Sequence, residues 1–282
     1  MKYAIVASVS QTNFGEIAFK EGLESTIHKA KEMRFDGVEL SVKSSRTLDV
    51  GKTKELLDSL DLVVPAIGSG QLYIDEGLSF ADEDMKIRSK AVEKFKDLMD
   101  VAEAFNARII IGFIAGNIKD YNSGSLDQKK EALKRVCGCI QDSLEYGSRS
   151  VKVLIEPLHR FNTNIFNTIQ DVVSFIDLNF HDEEKARVGV LADTWHMNIE
   201  EANITQAVSD NYDKIKHVHF ADSNRRAPGM GHFDFQEIIS VLLKKRYEGF
   251  ISFEMLPFPD PIRAALAALE YSKAIEHRLT GR

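Results

Sequence analysis

Residues 215–234 read IKHVHFADSNRRAPGMGHFD. The opening alternates like a short strand, so His217 and His219 point to one face while Val218 points to the other. His219 lies nearer the strand's end. Asp222 and Arg225 follow at once, and Pro228, Gly229 and Gly231 mark a turn before Asp234 and Glu237 supply a helix cap. One strand end therefore delivers a metal-type ligand, a cation and a loop to the same place. A strand histidine alone is more often a hydrogen-bonded core residue than a ligand, so its meaning depends on partners elsewhere in the chain.

Those partners fall on other strand ends. LIEPLHR places Glu156 after an apolar run, VGVLADTWH does the same for Asp193, and GFISFEML for Glu254. The gaps between Glu156, Asp193, His219 and Glu254 are 37, 26 and 35 residues. Each gap holds about one strand, one helix and a return, so four successive βα units offer one ligand each at the same relative position. A single acid ending an apolar run reads equally well as a helix cap or a surface charge. Four in phase do not.

Working outward, Tyr3 to Ser8 is a first apolar run, Glu16 to Met33 reads as helix, and GVEL at Gly37 to Leu40 is a second strand. Leu62 to Ile67 is a third. It is followed by a long polar loop, Gly68 to Asp84, in which Ser69, Gln71 and Tyr73 could touch a substrate, with a plain surface loop as the equal alternative. Arg108 to Phe113, Val151 to Glu156, Val188 to Asp193, the segment ending at His219, and Gly249 to Glu254 complete eight strands. Helical patterns over Leu126 to Tyr146, Asn167 to Leu178, Phe235 to Lys245 and Pro261 to His277 separate and follow them. Eight strands alternating with eight helices, with no linker or low-complexity stretch, predict an α/β chain forming a single (β/α)8 TIM barrel over residues 1–282. An open doubly wound sheet is the alternative, but no GxGxxG follows the first strand.

Composition narrows the function classes. With 36 basic and 43 acidic residues the net charge is −7, which argues against a broad nucleic-acid surface. No apolar run approaches membrane-spanning length, and MKYAIVASVS lacks the basic start and length of a secretory signal, so a cytoplasmic protein is expected. Cys137 and Cys139 are the only cysteines and sit in a helical pattern, which points to free thiols. A homo-oligomer is left open.

Three carboxylates and one imidazole form a hard to borderline donor set without thiolate. Manganese fits it first, cobalt and magnesium also, zinc less well. A metal bridging a carbonyl oxygen and the neighbouring hydroxyl would acidify the C–H between them and stabilise the enediolate. Glu156 and Glu254, on strand ends across a barrel mouth, are then expected to act as two bases, one removing a proton from one face and the other returning it to the opposite face. His196 and Arg225 are the expected contacts to the substrate oxyanion, with helix capping and a surface charge as their plainer readings. Trp195 either walls the pocket or caps the barrel end. Arg225 and Arg226 beside the glycines could also hold a phosphate.

The set EPLHRF, ADTWHMN, HVHFADSNR, PGMGHFDF and ISFE resembles the sugar isomerase and epimerase family of xylose isomerase-like barrels, in particular ketose 3-epimerases of the tagatose and psicose type. The resemblance runs over nearly the whole chain. It implies metal ligation by Glu156, Asp193, His219 and Glu254, proton transfer by Glu156 and Glu254, substrate contacts from His196 and Arg225, and a sugar or sugar-derived substrate. The stretch after Gly68 is similar to that family's loop after the third strand. Where those epimerases carry a second glutamate shortly after EPxxRF, this chain has Asn162, which leaves the substrate open. Aldose–ketose isomerisation, or isomerisation of a sugar phosphate or keto-inositol, would use the same site. Abasic-site endonucleases of the endonuclease IV type share the barrel. They need further histidines after the early strands, and Val64 to Tyr73 and Ile109 to Asn117 contain none.

Overall fold

The computed structural model describes residues 1–20, 22–122 and 125–281. Its centre is a closed barrel of eight parallel strands in sequence order: β1 (Lys2–Ser8), β2 (Gly37–Ser41), β3 (Ala66–Gly68), β4 (Arg108–Ile111), β5 (Val153–Ile155), β6 (Val188–Asp193), β7 (Ile215–Phe220) and β8 (Phe250–Phe253), with β8 pairing back onto β1. Strand residues of alternate phase serve two cores. Outward-facing Ile155, Ala192, Val218 and Phe253 join the large apolar cluster under the helices. Inward-facing Ala66, Ile110, Leu154 and Leu191 form a separate small cluster inside the barrel. The period of two continues to the strand ends: Glu156 stands two residues past Leu154, Asp193 two past Leu191, and His219 two past His217. The same alternation that packs the interior therefore aims these side chains at its mouth.

Three expectations about elements need correcting. The helix expected over Glu16 to Met33 is confined to Leu23–Glu32. Gly22 before it has φ +66°, a left-handed conformation that interrupts the helix. The residues ahead of it serve the barrel instead: Phe14 and Ile17 pack on Val6, and Phe19 bridges to Ala7. The expected third strand begins four residues later, at Ala66. The expected eight helices become eleven α-helices among the described residues, because short ones such as Gly70–Ile74 and Thr194–Glu200 form in the loops at the strand ends. Helix Leu126–Tyr146 lies where its pattern places it, and no helix of the described residues is long and apolar enough to cross a membrane.

Candidate active site

Register puts the ligands at one level. Asp193 pairs with His219 across β6 and β7, and His219 pairs with Ser252 across β7 and β8, with Glu254 two residues further on. Glu156 follows β5, its N–H donating to Ile111 O of β4. Candidate ligand atoms of Glu156, Asp193, His219 and Glu254 all lie within 4.8 Å of one another, and all four residues are buried. Nδ1 of His219 stands 3.6 Å from Glu156 Oε1, 3.7 Å from Asp193 Oδ2 and 3.6 Å from Glu254 Oε2. These separations are too long for good hydrogen bonds. They suit neighbouring ligand atoms around a cation whose bonds are ~2.1 Å. Nδ1 of His219 and Oε1 of Glu156 are buried with no hydrogen-bond partner, so the donor set fits a divalent ion on the geometry of this site.

The electrostatics agree with that fit. Burial, reinforced by Glu254 and Asp193 and opposed by His219, pushes the Glu156 carboxyl well above the usual range. Burial works against protonation of His219, yet Glu39, Asp193 and Glu254 hold it well above the ordinary histidine value. Burial likewise opposes ionisation of Asp193, but Arg225 and then His196 and His219 keep it far below the usual carboxylate value.

Asp193 divides its two oxygens between two roles. Oδ1 caps the helix Thr194–Glu200 by accepting from the N–H groups of Trp195 and His196, while Oδ2 faces Arg225 and His219. Capping and site chemistry, alternatives in the sequence, coexist. His196 is buried, and its Nδ1 accepts the backbone N–H of His159 at 3.1 Å. A neutral imidazole so arranged carries its proton on Nε2, which is buried and unpartnered and so free to donate. Burial above all, then Arg225 and the neighbouring histidines, keeps this ring well below the usual histidine value, against the pull of Asp193.

Arg225 is no surface charge. It is 2% exposed, with Nη1 donating to Asp193 Oδ2 at 2.6 Å, Nη2 donating to Glu254 Oε2, and Nε donating to Glu16 Oε2 at 3.1 Å. Its guanidinium lies 4.6 Å over the ring of Trp195, which makes the tryptophan a wall of the site. Arg225 takes φ +60°, held by its N–H to Asp222 O and by Leu256 N–H to its own carbonyl. Asp222 in turn accepts from the N–H groups of Ser223, Gly229 and Phe233, so this aspartate organises the loop. Arg226 turns away and stacks 3.7 Å over Phe258, so the two arginines do not form a paired phosphate clamp.

Glu156, His219 and Glu254 line a cavity of about 20 Å³, room for about one water or ion, which Phe14, Gly112 and Phe113 also bound. Of the loop residues expected to meet a substrate, Ser69 is buried and donates to Ile110 O at 2.5 Å, Gln71 is buried with Nε2 donating to Ser8 Oγ at 2.6 Å, and Tyr73 stacks on Phe113. Asn162 is half-buried; its carbonyl accepts from Asn117 Nδ2, and no hydrogen bond of its side chain is seen among the described residues. Three residues in the site escaped the sequence reading: Glu16, Glu39 and His159. Glu39 alone left a local signal, an acid between the two apolar residues of GVEL, where an interior-facing charge needs a partner.

Residues 27–274 match the family model described as the xylose isomerase-like TIM barrel. The chain belongs to this family. It is 26% identical over 238 residues to a ketose 3-epimerase of Arthrobacter globiformis, covering 83% of this chain and 78% of that protein. It is 29% identical over 254 residues to the 3-dehydro-D-guloside 4-epimerase of Escherichia coli, covering 87% and 92%. The crystal structure of 3-keto-D-glucoside 4-epimerase from E. coli superposes with a TM-score of 0.80 at 23% identity, over 97% of this chain and 100% of that one, which is a likeness of fold.

Proposed function

We propose that this member of the xylose isomerase-like family is a divalent-metal-dependent epimerase acting on the carbon beside the carbonyl of a sugar, and specifically a ketose 3-epimerase. The observation that carries the reading is the convergence of three buried carboxylates on the unpartnered Nδ1 of His219 at the mouth of the barrel. The names of the two curated relatives describe epimerisation at a carbon next to a keto group, at different positions of the sugar. Glu156, Asp193, His219 and Glu254 would hold the ion; manganese, cobalt or magnesium suits this oxygen-rich set better than zinc. When bound, the metal supplies Lewis-acid polarisation of the carbonyl.

Glu156 follows β5 and Glu254 follows β8, with β6 and β7 between them, an arrangement that supports approach to a substrate carbon from different faces. One takes the proton and the other returns it on the opposite face, which inverts the centre. The Nε2–H of His196 would donate to the developing oxyanion from a neutral ring. Arg225 sets the charge of the mouth and Trp195 keeps its apolar wall.

The test is to incubate the metal-loaded protein with a panel of ketoses in D2O. Deuterium should appear at the carbon beside the carbonyl together with the epimer. Chelation should abolish both, and manganese or cobalt should restore them. Exchange indifferent to chelation, or no exchange with any ketose, refutes the proposal.

A further inference from the structure

The His219 ring is held from behind as well as facing the carboxylates. Its Nε2 lies 3.0 Å from Oε1 of Glu39. The other oxygen of Glu39 lies 2.8 Å from Nε2 of His217, which Ser252 Oγ flanks at 2.9 Å. Glu39 is 1% exposed, His217 0%, His219 1% and Ser252 0%, so these groups are withdrawn from bulk solvent. They come from β2, β7 and β8 and make one side of the barrel interior polar, where β3 to β6 fill the other side with Ala66, Ile110, Leu154 and Leu191.

An ionised carboxylate only accepts hydrogen bonds. Each imidazole must therefore present an N–H at Nε2, and His219 is left with Nδ1 as its one nitrogen for a ligand. That is the atom with no protein partner, facing Glu156, Asp193 and Glu254. We propose that Glu39 is a positioning residue for the metal: it accepts the Nε2–H of His219, fixes the tautomer whose Nδ1 lone pair faces the three carboxylates, and is itself kept from rotating by His217 on its second oxygen. The inference rests on the metal reading above and deepens it. Carboxylates set behind ligating histidines raise ligand basicity and fix ring orientation, and losing one commonly costs 10- to 100-fold in metal affinity.

Glu39→Gln is the informative change. The amide offers one acceptor and one donor, so it cannot take an N–H from both imidazoles. Affinity for Mn2+ and for Zn2+ is read by chelator competition on wild type and variant, with circular dichroism to confirm folding. A loss of 10- to 100-fold in both affinities with the fold intact is expected. A merely structural Glu39 would lower the melting temperature and leave the affinity of the folded protein within twofold of wild type, and that result overturns the inference.

A second measurement needs no variant and decides the matter if Glu39→Gln does not fold. In the Zn2+-loaded, 15N-histidine-labelled wild type, long-range 1H–15N correlations should show His219 protonated at Nε2 with a metal-shifted Nδ1. A proton on Nδ1 with the metal shift on Nε2 overturns the proposal. Failure is distinguishable from failure of the underlying reading. If the wild type binds neither ion, both fall; if it binds and Glu39→Gln binds equally, only the role of Glu39 falls.

Discussion

Gly112→Ala should damage the site without damaging the fold. Gly112 follows β4 and precedes the short 3-10 turn Phe113–Ala115, and a Cβ built on it would stand 2.5 Å from Oε2 of Glu156 and 3.5 Å from its Cδ. Ordinary contact begins at 3.4 Å, so the carboxylate must retreat by about 0.9 Å or swing aside. The moving atom is the far end of a side chain, so the packing cost should be about 1 kcal/mol. The chemistry is less tolerant. Oε1 of the same carboxylate faces Nδ1 of His219, and a misplacement of ~1 Å at a reacting group costs ~100-fold, equivalent to ~2.7 kcal/mol of transition-state stabilisation. The assay is kcat/KM on a responsive ketose at saturating Mn2+, alongside metal affinity and a thermal melt. Gly138→Ala is the control, since nothing lies within 4 Å of its Cβ and it sits in the helix Leu126–Tyr146. The control should be neutral to slightly stabilising, by ~0.5–1 kcal/mol, with full activity. If Gly112→Ala keeps kcat/KM within about threefold of wild type and its metal affinity, Glu156 does not act from the position described. If it unfolds the protein by more than ~3 kcal/mol, the backbone rather than the carboxylate yields, and the reasoning is equally wrong.

Glu254→Gln and Glu156→Gln each keep an oxygen for the ion but remove a base, so epimerisation should fall by about 100-fold or more, while Asp193→Asn should chiefly weaken metal binding. Near-normal turnover by Glu254→Gln at saturating metal would end the two-base assignment. Asn162→Glu replaces a neutral donor with an anion; activity on a neutral ketohexose should rise relative to an anionic analogue by about 1–3 kcal/mol of transition-state binding, whereas equal losses on both would make Asn162 a packing residue. Asp75 pins the loop after β1: burial works against its charge, but the Asn13 N–H, the Thr12 hydroxyl and Lys43 hold its carboxyl below the usual value. A carboxyl lowered by folding contributes stability above its unfolded pKa, and that contribution is lost as the pH falls below about 4 and through the folded value. Urea midpoints between about pH 3 and 5 should therefore fall more steeply for wild type than for Asp75→Asn, and parallel curves would refute the assignment.

What the sequence determined by itself was whatever repeats locally. Alternation of period two marked the strands, and four ligand-type residues at matching strand ends pointed to a barrel and to the end of it where their side chains converge, because pleating sends every second side chain of each strand to the same side. Glu156, Asp193, His219 and Glu254 needed only that regularity to be found. The helix expected from Glu16 failed because the competing interaction is not local: Phe14 and Ile17 are claimed by Val6 across the strand end, and Gly22 breaks the helix before them. The partners of the site lay further out of reach. Glu39 meets His219 across 180 residues of chain and Glu16 meets Arg225 across 209, and no window of sequence spans such distances. Arg225 read as surface charge or substrate contact until barrel closure placed Asp193, Glu254 and Glu16 around it. Which nitrogen of His219 faces the carboxylates was likewise settled only by tertiary structure, since that depends on a carboxylate from the second strand standing behind a ring from the seventh.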